Sequence, residues 1–167
     1  MEPYKSGTAF LSEETWRKHA NPWSVWTRLP ILALISGVLW FREPLGWALW
    51  PSLGFLMLWT WLNPRAFPEP KNLDSWASQS TLGERIWLSR KHRAIPRHHQ
   101  RAIRCLVVVT AAGVPLIALG LWQHQPTSLV AGLLLCYLGK LWFLDRMVWL
   151  CRESALQVPQ RPAQKET

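Results

Sequence analysis

The charged residues of this chain fall into separate blocks, and long uncharged stretches lie between them. A helix on the surface of a soluble protein has a polar face, whereas a helix that crosses a bilayer needs about 20 mostly apolar residues. Four stretches fit the second description or come close to it: residues 24–41, 45–62, 105–122 and 127–144. The mean hydropathy of -0.01 hides this pattern, because it averages apolar and basic blocks.

The sequence therefore predicts an all-α, polytopic membrane protein with four transmembrane helices in two hairpins, accompanied by short interfacial helices. Residues 1–23 are expected to form a cytoplasmic or interfacial N-terminal segment, and residues 24–62 the first hairpin. Residues 63–104 are expected to form a basic cytoplasmic loop that contains a short helix. The second hairpin would occupy residues 105–150, and a disordered cytoplasmic tail residues 151–167.

The positive charges predict the orientation. Of the 19 lysines and arginines, Arg42 alone lies in the turn of the first hairpin, and the turn of the second hairpin has none. Four spans therefore place the other 18 on the side that carries both termini and the middle segment. The positive-inside rule assigns that side to the cytoplasm. Many of the 13 tryptophans lie near the ends of the apolar stretches, where aromatic belts are expected.

Local signals predict several helix ends. Ser12 is a candidate N-cap for a surface helix that ends near Asn21 and Pro22. Asn63 and Pro64 are expected to end the second span, because proline disrupts helical hydrogen bonding. The pattern from Thr81 to Glu84 resembles a capping box and predicts a short helix that continues to about residue 92.

Ionisable residues near membrane depth usually find partners, because burying a lone charge is costly. Six of them lie close to the predicted cytoplasmic boundary: Arg28, Glu84, Arg85, Lys140, Asp145 and Arg146. One interpretation is a network that fixes helix packing, in which Asp145 pairs with Arg28 or Arg104. The other is a polar pocket that binds an anionic headgroup or a phosphate.

The basic middle segment is expected to contact anionic membrane lipids through Arg90, Lys91, Arg93 and Arg97. It contains no recognisable nucleic-acid-binding module, so no nucleic-acid partner is predicted. His92, His98 and His99, with Glu84, could form a transition-metal site, but their spacing is irregular and no second cluster completes it. A solvated basic loop is the favoured interpretation, and the sequence predicts no metal, no cofactor and no catalytic residue.

Four strings carry a resemblance to a known family: His19–Arg28, Asn63–Pro68, Leu82–Leu88 and Tyr137–Leu150. Together they resemble a family of small, Trp-rich bacterial membrane proteins catalogued as a domain of unknown function. The resemblance covers roughly residues 12–152. It implies a bacterial membrane protein, and it supplies no catalytic residues. Together with the spans and the orientation predicted from charge, the expected location is the bacterial inner membrane, with several passes and both termini in the cytoplasm.

Three functions remain open at this point. The favoured one is a non-enzymatic accessory protein that interacts with anionic lipid or with a protein partner, which could be a second copy of the chain. The second is a small membrane enzyme that acts on a lipid or quinone-like substrate at the cytoplasmic boundary. The third is a component of an oligomeric transporter, which only the four-span architecture favours.

Overall fold

A computed structural model describes residues 13–91 and 94–156, and every regular element within them is helical. A 3₁₀ turn at Gly46–Ala48 separates the fourth and fifth of eight α-helices. The helices are α1 (Glu13–His19), α2 (Pro22–Arg28), α3 (Ile31–Trp40), α4 (Arg42–Leu45), α5 (Leu49–Ala66), α6 (Trp76–Leu88), α7 (Arg97–Trp122) and α8 (Pro126–Leu156).

Four helical segments are long and apolar enough to cross a membrane. They comprise α2 with α3 (19 residues), α4 with α5 (25 residues), α7 (26 residues) and α8 (31 residues). Large apolar side chains on these segments point outward; Phe55, Val108 and Leu134 are all at least 65% exposed. Such surfaces are unfavourable in water and suit a lipid environment. The structure therefore confirms the predicted all-helical class and the four segments capable of spanning a membrane.

Glycines bring α7 and α8 into backbone contact. A Cβ on Gly113 would lie 2.6 Å from the Gly132 carbonyl oxygen, and Gly139 faces Leu106 and Thr110 in the same way. Residues later in α8 thus meet residues earlier in α7, so the two helices run antiparallel. Small residues at such contacts allow the close packing that holds helices together in lipid.

The first span is interrupted at Pro30, which separates α2 from α3. The hydroxyl of Tyr137 in α8 donates to the Leu29 carbonyl at 2.8 Å and accepts from the Ala33 backbone N–H at 3.2 Å. Leu29 and Ala33 are four residues apart and would pair directly in a continuous helix. The tyrosine hydroxyl therefore stands between two backbone groups that would be costly to leave unpaired in a membrane.

Helix α6 packs across α8, where a Cβ on Gly83 would overlap the backbone of Met147. Met147 and Leu150 are almost fully buried, and they form a cluster with Ile95 and Ile103. A second cluster contains Val25, Ala77 and Leu144 and so joins α2, α6 and α8. By contrast, α5 packs mainly against α1 and α3, and most of its surface is exposed.

The predicted capping box is wrong. Helix α6 begins at Trp76 with Ser75 as its N-cap, whose hydroxyl oxygen accepts from the Ser78 backbone N–H at 3.1 Å. Thr81 lies inside the helix, and its hydroxyl donates to the Ala77 carbonyl. The helix ends at Leu88, earlier than predicted. Ser75 and Thr81 are both residue types that can cap a helix, and the earlier of them begins α6.

Several other helix ends differ from the predictions. Helix α5 continues through Pro64 to Ala66, because a proline this close to the C-terminus removes a single backbone hydrogen bond. Helix α7 begins at Arg97, so the basic residues before residue 105 belong to the same helix as the apolar stretch. The predicted break before Pro22 is confirmed, with Asn21 as the N-cap of α2. Helix α8 continues to Leu156, so residues 151–156, expected in the disordered tail, are helical. Ser12 and residues 157–167 lie outside the described residues.

Candidate functional site

A histidine and an arginine meet where the first span begins. The guanidinium of Arg28 lies 2.9 Å from Nε2 of His19, and its Nε–H donates to the Ser24 carbonyl at 2.8 Å. Burial first, and then the positive charges of Arg28 and Lys140, lower the pKa of His19 to about 3. His19 is therefore neutral at physiological pH, and its Nε2 accepts a hydrogen bond from Arg28.

Charged residues from α6 and α8 lie close to this pair. The carboxylate of Glu84 attracts the Arg28 guanidinium, and the Lys140 ammonium repels a proton on His19. Lys140 also lies over the ring of Phe143, 5.1 Å from its centroid. Three of the six predicted polar-site residues thus share one electrostatic environment. It is centred on His19, which the sequence analysis did not select.

A buried amide links the first span to the second. Asn63 is fully buried; its Oδ1 accepts from the Ser24 hydroxyl at 2.8 Å, and its Nδ2–H donates to Thr27 Oγ1 at 2.7 Å. From the sequence, Asn63 is expected only to end the second span. The signal that could have revealed its role is an amide side chain on an apolar span, since such a group needs partners in lipid.

The other three predicted polar-site residues have different neighbours. Arg85 lines a small cavity of ≈ 60 Å³ together with Trp16 and Glu69. Asp145 accepts from Trp76 Nε1 at 3.2 Å, on the side of α8 that faces the start of α6. Nε of Arg146 is buried and has no hydrogen-bond partner among the described residues. Glu84 and Lys140 thus act electrostatically on the Arg28–His19 pair, whereas Arg85 and Asp145 lie against other groups.

The predicted lipid-contact residues lie on both sides of a short gap in the described chain. Arg90 and Lys91 follow α6, and both are exposed. The guanidinium of Arg90 lies 5.0 Å from the ring centroid of Trp87, which holds the charge beside an aromatic surface. Arg93 is outside the described residues.

The start of α7 carries a stripe of arginines. Arg97, Arg101 and Arg104 are all exposed and are spaced so that they share one helix face. None of the three forms a salt bridge within residues 13–91 and 94–156. One turn further along the same face, Val108 is 67% exposed. We call Arg97, Arg101 and Arg104 the α7 arginine stripe; it leads directly into an apolar, outward-facing surface.

Two of the histidines considered as metal ligands meet a residue that the sequence analysis did not consider. His98 and His99 both face Glu153, near the end of α8, at 3.3 Å and 2.8 Å. Glu84 lies instead near Arg28, and His92 is outside the described residues.

Comparison with known proteins assigns a family. A family of unknown function, DUF6653, matches residues 5–167 of the chain. The chain belongs to DUF6653. Membership in DUF6653 agrees with the resemblance to an uncharacterised family. The match extends over nearly the whole chain. No curated protein and no solved structure shows a significant match to it.

Proposed function

We propose that this chain is a non-enzymatic, multi-pass protein of the bacterial inner membrane whose cytoplasmic face binds anionic lipid headgroups. Its four spans form two hairpins, α1 lies at the membrane surface, and both termini lie in the cytoplasm. The distribution of lysine and arginine supports this orientation, since a single positive residue lies in the turns assigned to the outer side.

The α7 arginine stripe carries the proposal. Its three guanidinium groups are exposed and lie on the face of α7 that continues into lipid-facing residues such as Val108. That order matches the order of a bilayer leaflet, with phosphate groups at the surface and acyl chains below. Arginine binds phosphate oxygens with two parallel N–H donors. The cation of a zwitterionic headgroup repels the three guanidinium groups, whereas an anionic headgroup lacks it, so the stripe favours anionic lipid.

The enzyme alternative would need a shared pocket at the cytoplasmic boundary. Glu84 lies close to Arg28, whereas Arg85 lines a small cavity beside α1, and Asp145 is bonded to the Trp76 indole. These contacts favour a packing role for the polar residues. The exposed surface of α5 offers a place for a protein partner or a second copy of the chain, which is compatible with a lipid-binding role.

Retention of anionic lipid tests the proposal. We expect Arg101→Gln/Arg104→Gln protein, purified in mild detergent, to bind phosphatidylglycerol more weakly than the wild type. Each arginine near a membrane surface contributes about 1 kcal/mol, so the double substitution should weaken binding by about 30-fold. Native mass spectrometry of lipid-bound protein, titrated with phosphatidylglycerol and separately with phosphatidylcholine, measures this.

Arg65→Gln/Lys71→Gln is the matched control, because it also removes two exposed positive charges from the same side of the protein. Phosphatidylglycerol affinity should stay close to wild type in this variant. Equal loss of phosphatidylglycerol affinity in both variants would mean that net charge alone determines binding, and not the position of the stripe. Unchanged affinity in the Arg101/Arg104 variant would refute the proposal.

A further inference from the structure

Two imidazoles and a carboxylate converge between the beginning of α7 and the end of α8. Nε2 of His99 lies 2.8 Å from Oε2 of Glu153, and Nε2 of His98 lies 3.3 Å from the same oxygen. One potential ligand atom from each residue lies within 4.8 Å of the other two. The carboxylate is 54 residues away from His99 in the sequence, so only the antiparallel packing of α7 and α8 brings it there.

These separations are close to those of a coordination sphere. Zinc binds histidine nitrogen and carboxylate oxygen at about 2.0–2.2 Å in a tetrahedral arrangement, which places ligand atoms about 3.3 Å apart. The distance from His98 to Glu153 already has this value. The distance from His99 would have to lengthen by roughly half an ångström, and the two histidine nitrogens, which lie within 4.8 Å of each other, would have to approach by up to about 1.5 Å. Rotations of the exposed His98 and Glu153 side chains can supply both shifts.

We propose that His98, His99 and Glu153 bind a divalent transition-metal cation of the zinc class. Two neutral imidazoles and one carboxylate form a common three-ligand set for such ions, and they leave a fourth position for water. His98 and His99 lie between Arg97 and Arg101 of the α7 arginine stripe, so the two sites share the first turns of α7. The metal proposal does not depend on lipid binding.

The burial of the three side chains suits such a site. The His99 side chain is 1% exposed and is therefore fixed by packing, whereas the side chains of His98 and Glu153 are 60% and 36% exposed. The cation can thus enter from solvent on one side and meet a fixed ligand on the other.

His99 can become a ligand without losing a second hydrogen bond. Its Nδ1 has no hydrogen-bond partner among the described residues, so no second bond fixes its tautomer. When Nε2 presents its lone pair to the cation, the ring proton lies on Nδ1. That N–H is buried without an acceptor among the described residues, which lowers the affinity of the site.

The local charge limits the affinity. Arg97 and Arg101 on α7 and Arg152 on α8 are close to the site in sequence, and the N-terminus of α7 adds a partial positive charge. These groups oppose a cation, while the Glu153 carboxylate attracts it. We therefore expect micromolar affinity, weaker than that of a closed structural zinc site. The bound ion would join the two helices beyond their last glycine contact.

Direct titration tests the site. The full chain, purified in detergent without a histidine tag and stripped with EDTA, is titrated with Zn²⁺ by calorimetry and with Co²⁺ by visible absorption. We expect one equivalent to bind, with the intense absorption of tetrahedral Co²⁺. His98→Gln and Glu153→Gln should each weaken binding by more than roughly 10-fold.

His124→Gln is the matched control, since His124 is an exposed histidine at the other end of the α7–α8 pair; its binding curve should equal that of the wild type. Glu153→Gln could also loosen the helix pair, so His98→Gln, at a largely exposed side chain, decides the outcome once its melting temperature matches wild type. Wild-type protein without saturable binding at one equivalent, or unchanged binding in a folded His98→Gln variant, would overturn the proposal.

Discussion

A neutral histidine among cations makes the start of the first span sensitive to pH. His19 has a folded-state pKa of about 3, whereas an unfolded histidine titrates near 6.5. Between these values the unfolded chain binds more protons than the folded chain. The contribution of neutral His19 to the free energy of unfolding is therefore fully present above pH 6.5, and it decreases as the pH falls from 6.5 towards 3.

This difference gives a prediction. Lowering the pH from 7.5 to 5 should reduce the free energy of unfolding by roughly 2 kcal/mol through His19 alone. A His19→Gln variant, which stays neutral throughout, should lose this part of the pH dependence. Thermal melting of the detergent-solubilised protein at both pH values measures it. A His19→Gln slope equal to wild type would contradict the assignment.

Residue partners were the hardest part to predict from the sequence. Arg28, Glu84 and Lys140 can be selected from the sequence, because charges close to apolar stretches stand out. Asn63 and Glu153 cannot, because their partners lie 39 and 54 residues away and depend on how the helices pack. The sequence can identify a polar or charged side chain that is costly to bury, but only the fold shows which partner it bonds.

At the scale of the elements, the contact between α7 and α8 depends on glycine. A Cβ on Gly132 would lie 2.6 Å from the Ile117 backbone nitrogen and 2.7 Å from the Gly113 carbonyl oxygen. Backbone atoms cannot move away as a flexible side chain can, so any larger residue has to separate the helices.

Gly132→Ala should therefore destabilise the protein by about 1–3 kcal/mol. Thermal melting or unfolding in mixed detergent measures the change. Gly54→Ala is the control, because a Cβ there meets nothing within 4 Å. It should be neutral or stabilising by up to about 1 kcal/mol, through helix propensity. A Gly132→Ala variant as stable as wild type would contradict the close packing of α7 against α8 at this position.

The existence of the helices was easier to predict than their ends. Four apolar stretches were enough to predict four spans, because lipid requires every backbone group to be paired. The ends depend on local competition: Ser75 begins α6 ahead of Thr81, and Pro64 fails to end α5. Pro30 divides the first span, and Tyr137, 108 residues away from Leu29, pairs with the backbone at the break.

For the whole molecule, the proposed orientation can be tested on the full chain. In a background without native cysteines, Gln125→Cys lies in the turn between α7 and α8, and Lys91→Cys follows α6. We expect a membrane-impermeant maleimide to label Gln125→Cys in intact cells and Lys91→Cys only after permeabilisation, because the positive-inside rule keeps the basic side in the cytoplasm. The opposite labelling pattern would reverse the topology.

The sparse packing of α5 has a mechanical consequence. Since α7 and α8 meet backbone to backbone, they have little freedom to tilt against each other, whereas α5 has a largely exposed surface and an amide link at Asn63. A bilayer that becomes thinner or thicker is accommodated most cheaply by tilting the least constrained span. Changes in membrane thickness are therefore expected to act first on α5 and to reach Ser24 and the start of the first span through Asn63.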